Sequence, residues 1–519
     1  MSRKFSINTI DRIVAFLSPE AGLRRARARA AMTAVSGYVG GRRDRPSMMQ
    51  WSAIGGSSPD SDLLPDLDML RARSHDLVRN DPLAQSAIST KVAHVVGSGH
   101  VVRPEIDAAA LGITEEEAES WEDQAMAIWN DWASGRDCDV TRTQNFAELE
   151  DLVYRSILMS GDVLVIRRFK ERKGRLLGSC LQVVEADRLS NPDYTMDSDT
   201  LAGGVEMDGD GAPVAYHVAD RHMFDRARIP GVTWKRIPAF DAKGRRNVLH
   251  VHLARWRPDM TRYAPLLSPV IEALKQRSRY SEAELMAAVV SACFAIGMKS
   301  EDGDLGAGLV QGGQTAQGKE INLTEPGQIF DLLPGEEVQS FQPGRPSPQF
   351  APFIEAVARE VGAGTDIPYE LLVKQFQASY SASRAAMEMA WLFFRTDRAR
   401  HVAQFCAPVY EDVISEAVAR GLLKAPGFFR DPLRRRAYLG AVWMGPARPT
   451  IDPVKDAQAD REYLDMGATS LTRIAAERFG QDIDVVRRRR EKDGSNAIGA
   501  AAQATAPVDH VAGSDKETS

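Results

Sequence analysis

Leu285-Met-Ala-Ala-Val-Val-Ser-Ala-Cys-Phe-Ala-Ile-Gly-Met298 carries no charge and has no polar face. A helix that is apolar all round requires burial on every side, either in a large core or against neighbouring subunits. Its 14 residues fall short of the roughly 18 to 20 needed to cross a bilayer, so no membrane span is expected. The half before it, Ile271 to Glu284, is amphipathic and carries Lys275, Arg277 and Arg279. One long helix, from Pro269 to about Ala295, thus passes from a charged setting into a fully buried one. That pattern suits a subunit packed in a ring.

Upstream of this helix the hydrophobic period is that of strands. Val163 to Phe169 and Leu181 to Glu185 are β-rich runs around the Lys173-Gly174 turn, and Val205 to Met207 and Val214 to Val218 flank Asp208-Gly-Asp-Gly211. Val248 to Leu253 is a further strand. Before them come helical patterns: Leu67 to Val78, then Pro82 opening a second that Gly97 and Gly99 stop, a third from the capping box Thr114/Glu117 to Gly135, and a fourth over Phe146 to Met159. Downstream, a Gly-rich loop from Gly303 to Gly318 precedes short strands at Gln328 to Leu333 and Val338 to Phe341. Helices follow at Phe350 to Val361 and Ala382 to Ala419, with Pro408 expected to kink the last. The class is α+β, with helices at both ends of a β-rich middle and no βαβ rhythm. Residues 1 to 65 read as a flexible basic arm, and Gly494 to Ser519, which is almost free of large apolar residues, as a disordered tail.

At 519 residues the chain has room for three or four domain-sized units. Its 65 basic and 71 acidic residues give a net charge of −6, which excludes a protein that lives by gripping nucleic acid, because phosphate neutralisation demands a basic balance. The four cysteines, Cys138, Cys180, Cys293 and Cys406, lie far apart with no C-x-x-C pair. This argues against a thiolate metal site and fits a reducing compartment. The N-terminus lacks the apolar core and cleavage site of a secretory signal, so an intracellular, non-membrane product is expected.

Catalytic signals are weak. His250 and His252 point to one face of a strand and could share a metal, but no carboxylate run follows at ligand spacing. Asp208-Gly-Asp-Gly211 resembles the start of a calcium loop without its later Glu, and a hairpin turn explains it better. Asp482 and Asp484 suit a helix start, and Arg487 to Arg490 a solvated helix end. No phosphate-cradling loop, nucleophile elbow or His-Glu-x-x-His occurs. No cofactor is expected.

Several stretches together are similar to the lambda-like portal proteins of tailed bacteriophages. They are Arg73-Ser-His-Asp-Leu-Val-Arg-Asn-Asp-Pro82 leading to Val95-Val-Gly-Ser-Gly99, Ser160-Gly-Asp-Val-Leu-Val-Ile-Arg167, the Pro265 to Tyr280 segment, Gly364-Thr-Asp-Ile-Pro-Tyr-Glu-Leu-Leu372, Ser379-Tyr-Ser-Ala-Ser-Arg-Ala-Ala386 and Ile451-Asp-Pro-Val-Lys-Asp-Ala457. The resemblance runs from about residue 65 to residue 490. It departs at Ser381-Ala-Ser383, where the family commonly doubles a serine after the tyrosine, and at Lys374-Gln-Phe-Gln377, where an Asp is common.

The resemblance implies a non-enzymatic ring, typically a dodecamer, at one capsid vertex of the virion, assembled in the host cytoplasm. Double-stranded DNA passes through its channel during packaging and ejection. Terminase docks on it, head-completion or connector proteins replace terminase, and the major capsid or scaffold proteins surround it. By analogy the wing covers 66–190 and 301–420, the β-containing clip 191–264, the stem helix 265–300 and the helical crown 421–493. Lys235, Arg236, Lys243, Arg245, Arg246, Arg255 and Arg257 are dense in basic charge and are candidates for the terminase or connector interface. Lys275, Arg279, Gln349, Lys374 and Gln377 are candidates to face the channel. Two other classes compete: a metal-dependent hydrolase built on His250 and His252, and a nucleic-acid-binding regulator using the Arg-rich stretch 24–45.

Overall fold

The structure is a computed structural model that describes residues 56–222, 231–253, 256–293, 297–300, 336–339, 349–376, 379–450 and 452–492. The chain divides into two units, Met1–Ser58 and Pro59–Ser519, and every element below belongs to the second. The arm up to residue 55, the tail, the Gly303–Gly318 loop and the Gln328–Leu333 strand lie outside the described residues.

Helix α1 (Pro59–Asn80) opens with Asp60 and Asp62 in its first turn, where carboxylates meet the positive end of the helix dipole. It ends where the Asp81 carboxylate caps α2 (Pro82–Val95), accepting from the Leu83 and Ala84 N–H groups. Pro82 fits there because the first helical position needs no donor. Strand β1 (Val101–Pro104) follows. Helix α3 (Glu115–Ser134) starts at the expected capping box: the Glu117 N–H donates to Thr114 Oγ1 at 3.2 Å, and the Thr114 N–H donates to the Glu117 carboxylate at 2.9 Å. Its buried face centres on Trp129, which meets Trp132, Phe146, Tyr410 and Trp443 at centroid distances of 5.3, 5.0, 5.5 and 5.9 Å. Helix α4 (Phe146–Ser160) stops at Gly161, whose φ is +91°. A Cβ at residue 161 would collide with the Tyr263 carbonyl, so only glycine lets these two segments pass.

Strand β2 (Asp162–Phe169) is the middle of the sheet β3–β2–β8, with β3 (Ser179–Glu185) and β8 (Val248–His252) antiparallel on either side. Alternation sends Val163 and Val165 into the large helical core, and Leu164 and Ile166 into a second core. Burial on both faces is why the sequence reads as an unbroken apolar run. The second core lies under the sheet formed by β4 (Leu201–Ala202), β5 (Val205–Met207), β6 (Pro213–Ala219) and β7 (Trp234–Pro238), through Val205, Tyr216, Val218 and Ile237. The β5–β6 connection is the expected hairpin turn. Asp208 Oδ1 accepts from the Asp210 and Ala212 N–H groups at 3.0 and 2.8 Å, so its carboxylate serves its own backbone.

The long helix is α5 (Ile271–Cys293), led in by a 3₁₀ turn at Ser268–Val270. It ends at Cys293, before the apolar run that announced it does. Gly297 and Met298 belong to strand β9 (Gly297–Ser300), paired antiparallel with β10 (Glu336–Gln339). Glycine is a poor helix residue, and a short apolar run has no period that separates helix from strand. Complete burial is also absent within one chain: Leu285, Met286 and Val289 are 66%, 62% and 51% exposed. Among the described residues no helix is long and apolar enough to cross a membrane.

Helix α6 (Phe350–Thr365) ends at Asp366 in the left-handed region. Helices α7 (Tyr380–His401) and α8 (Ala407–Ala419) are joined by a π turn, Val402–Cys406. The expected irregularity at Pro408 therefore falls in the preceding turn. Proline has no N–H and its ring crowds the carbonyl four residues back, and here the ladder widens so that the Ala407 N–H reaches the Val402 carbonyl, five back. Helix α9 (Pro432–Tyr438) leads to β11 (Ala441–Met444), which pairs with β1 in the register Val101↔Met444 and so ties the two ends of the folded unit together. Helices α10 (Pro453–Asp465) and α11 (Ile483–Lys492) follow, the second ending the described residues. The Asp484 N–H donates to Asp482 at 2.9 Å, the expected cap, and Arg487 to Arg490 are exposed on α11. The result is the mixed helix-and-sheet architecture expected.

Candidate functional site

The basic candidates do not form one patch. Lys235 and Arg236 are exposed on β7, but Arg236 is spent on Glu206, with Nε and Nη2 at 2.7 and 2.9 Å from its carboxylate, and His217 Nε2 lies 3.1 Å from the same group. The Arg236 hydrogen bonds hold the Glu206 carboxyl down to about 2. Because the folded pKa is depressed, this contribution is present above the unfolded value of about 4.3 and is lost as pH falls through it toward 2. Both side chains face solvent, so screening keeps the contribution small. Glu206→Gln is expected to lower the urea midpoint at pH 6 and to coincide with wild type near pH 2, as read by circular dichroism.

Lys243, Arg245 and Arg246 do come together, on the loop between β7 and β8. Arg245 Nε lies 3.0 Å from Asp241, and the Arg246 guanidinium sits 5.0 Å over the Phe240 ring. The three border a cleft of about 770 Å³ between this loop, the β2–β3 edge and α8. The cleft adds Arg167, Arg168 and Arg435, which the sequence reading missed. Arg167 pairs with Asp412 and Arg435 with Glu411. Burial, with Arg245 nearby, lowers Arg167 to about 10. The clue was present in the sequence as Arg167-Arg168 at the end of an otherwise apolar strand. Arg257 is half exposed and pairs with Asp62 on α1. Arg255 lies outside the described residues.

Of the channel candidates, Lys275 and Arg279 are exposed four residues apart on α5, hence on one face, while Arg277 between them pairs with Asp81 at 2.6 Å. Gln349 is exposed at the N-cap of α6, next to Phe350, whose ring stacks on Tyr280 at 5.7 Å. Lys374 is exposed with φ +57°. Gln377 lies outside the described residues.

The most charged interior site is elsewhere. Asp162, at the start of β2, is 1% exposed, with Arg71 Nη2 and Arg262 Nε each 2.8 Å from its carboxylate. Arg262 also donates to the carbonyls of Leu189, Gly203 and Ala186, and Arg71 to that of Ser160. Burial opposes the charge on Asp162, but Arg262 and Arg71 outweigh it and hold its carboxyl well below the usual range. Burial lowers Arg71 to about 10.

The hydrolase alternative loses its ligands here. His250 Nε2 lies 3.3 Å from this same Asp162, and the His252 ring stacks on Tyr263 at 3.9 Å with Nδ1 2.6 Å from the Leu253 carbonyl. Two other groups among the described residues have donor atoms close enough for a metal: the surface set His75, Glu185 and Asp187, and the buried set His100, Glu150 and Cys406. The Arg-rich stretch 24–45 lies outside the described residues.

Comparison with known proteins matches residues 44–398 to the family model "Phage portal protein, lambda family". Portal protein B of Escherichia phage lambda is 25% identical over 468 residues, covering 85% of this chain and 86% of that protein. The portal protein of Escherichia phage N15 is 25% identical over 469 residues, covering 85% and 87%. Among solved structures, a chain from the virion of a native gene transfer agent particle aligns with a TM-score of 0.40 at 16% identity, covering 81% of this chain and 93% of that one. With the family match spanning more than half of its length, the chain belongs to the lambda family of phage portal proteins, which is structural and not enzymatic.

Proposed function

We propose that this chain is the subunit of a portal ring, most simply a dodecamer, set at one capsid vertex as the conduit for double-stranded DNA in packaging and ejection. The family match over residues 44–398 carries the reading. The exposed Leu285, Met286 and Val289 support it, because such a face needs a neighbouring subunit. In this arrangement the wing is formed by 66–190 and 301–420, the clip by 191–264, the stem by 265–300 and the crown by 421–493. Terminase, and later head-completion proteins, engage the clip side, and the capsid shell surrounds the wing. The ring assembles in the host cytoplasm and remains in the virion.

A conduit must let DNA slide. Each phosphate neutralised adds counterion-release free energy and steepens the salt dependence, so a net charge of −6 suits passage better than capture. The assembly is expected to bind duplex DNA weakly and without sequence preference in a filter-binding series. Nanomolar affinity at physiological salt would contradict the conduit. The cleft bordered by Lys243, Arg245 and Arg246 is the docking surface proposed for an acidic segment of terminase or a connector protein. Reversing Arg245 and Arg246 to Glu is expected to cut terminase pull-down and packaging yield at least tenfold, about 1.4 kcal/mol, with the ring intact. Unchanged pull-down would remove the cleft from the interface.

A further inference from the structure

The buried group of His100, Glu150 and Cys406 is unused by anything above. His100 follows the turn after α2, Glu150 lies on α4, and Cys406 closes the π turn between α7 and α8. All three are buried, and their donor atoms lie within 4.8 Å of one another. Cys406 Sγ is 2.9 Å from Glu150 Oε1, and the His100 N–H donates to Glu150 Oε2 at 2.8 Å. His100 Nδ1 stands 3.4 Å from Glu150 Oε1 without hydrogen-bond alignment. His401 is also buried, its ring centroid 6.0 Å from that of His100, and it immediately precedes the turn that Cys406 ends.

Two features of this pocket lack an explanation in the protein alone. The four ring nitrogens of His100 and His401 are buried with no hydrogen-bond partner. An unmade bond of this kind costs about 1–3 kcal/mol. The Glu150 carboxylate, with no surface exposure, is met by two neutral donors and no aligned cation. A buried charge left in that state is expensive.

We propose that His100, Glu150 and Cys406 bind one zinc ion, with the buried His401 ring beside them. A thiolate, an imidazole and a carboxylate are ligands that zinc accepts together in tetrahedral sites. The charges close: on binding, the Cys406 thiol gives its proton to solvent, and one thiolate and one carboxylate balance the divalent ion. The ion pins the loop after α2, α4 and the α7–α8 junction to one another, three segments separated by 50 and 256 residues in sequence. The three donors are wholly buried, away from any cleft a substrate could enter from solvent, which fits a structural brace.

The test uses untagged, full-length protein expressed in zinc-supplemented medium and gel-filtered in EDTA. Elemental analysis is expected to find about one zinc per chain, since release from a buried site requires the surrounding fold to open. Protein expressed with cobalt should show a thiolate-to-cobalt charge-transfer band, lost in Cys406→Ser and diminished in Glu150→Gln. Less than a tenth of an ion per chain in wild type would overturn the proposal whether or not the variants fold. Retention of the band in Cys406→Ser would overturn it equally.

Discussion

Asp162→Asn lowers the stability of the folded unit by about 3–5 kcal/mol, the cost of removing one partner from a buried charge network. The side chain keeps its shape, so no cavity forms, and the loss is electrostatic. Arg71 and Arg262, 2% and 1% exposed, remain in the interior without their shared counterion. The network joins α1, the start of β2, the 186–189 segment and Arg262. Because the folded Asp162 carboxyl lies well below its unfolded value, its contribution is complete at neutral pH, begins to decline below about 3.9 and is lost only as pH falls through the lower folded value. The wild type and Asp162→Asn should therefore converge in acid. By contrast, Arg257→Ala, which breaks an exposed pair with Asp62, should change stability by less than about 1 kcal/mol. Guanidinium unfolding followed by tryptophan fluorescence reads both, and equal effects would refute the assignment of Asp162 as the keystone.

Leu285→Asp combined with Val289→Asp converts the assembly to single chains that remain folded. The two positions lie four residues apart on α5, on one face. In one chain they are exposed, so the substitutions disturb no internal packing. In a ring each would take a carboxylate out of water at every interface, and each lost apolar side chain forfeits about 1.5–3 kcal/mol of burial. Light scattering after gel filtration should show the chain mass, with an unchanged circular dichroism spectrum. An intact oligomer would remove this face of α5 from the subunit contact.

Elements fixed by local chemistry were legible in the sequence. The Thr114/Glu117 box, Pro82 after Asp81 and the Asp208 turn are each decided by residues within four positions of one another, and the structure has all three. The end of α5 was not, because Phe294 to Met298 offers no period and the pairing of β9 with β10 depends on residues about 40 positions later. The same limit hid the interior sites. Asp162 stood in the Ser160-Gly-Asp stretch that supported the family resemblance, but its role depends on Arg71 and Arg262, about 91 and 100 positions away. Widely spaced cysteines argued against a thiolate metal site, yet the fold carries Cys406 to Glu150 and His100. The proposed interface behaves likewise: Lys243, Arg245 and Arg246 were visible as a charged run, while Arg167 and Arg435 joined them only through the placement of β2 and α9 around the cleft.

Imaging of the purified full-length protein by electron microscopy, with its mass taken by native mass spectrometry, tests the portal reading most directly. The expected result is a closed ring near twelve times 57.0 kDa with an axial channel wide enough for duplex DNA. A monomer, or a small oligomer with no through-channel, would contradict it.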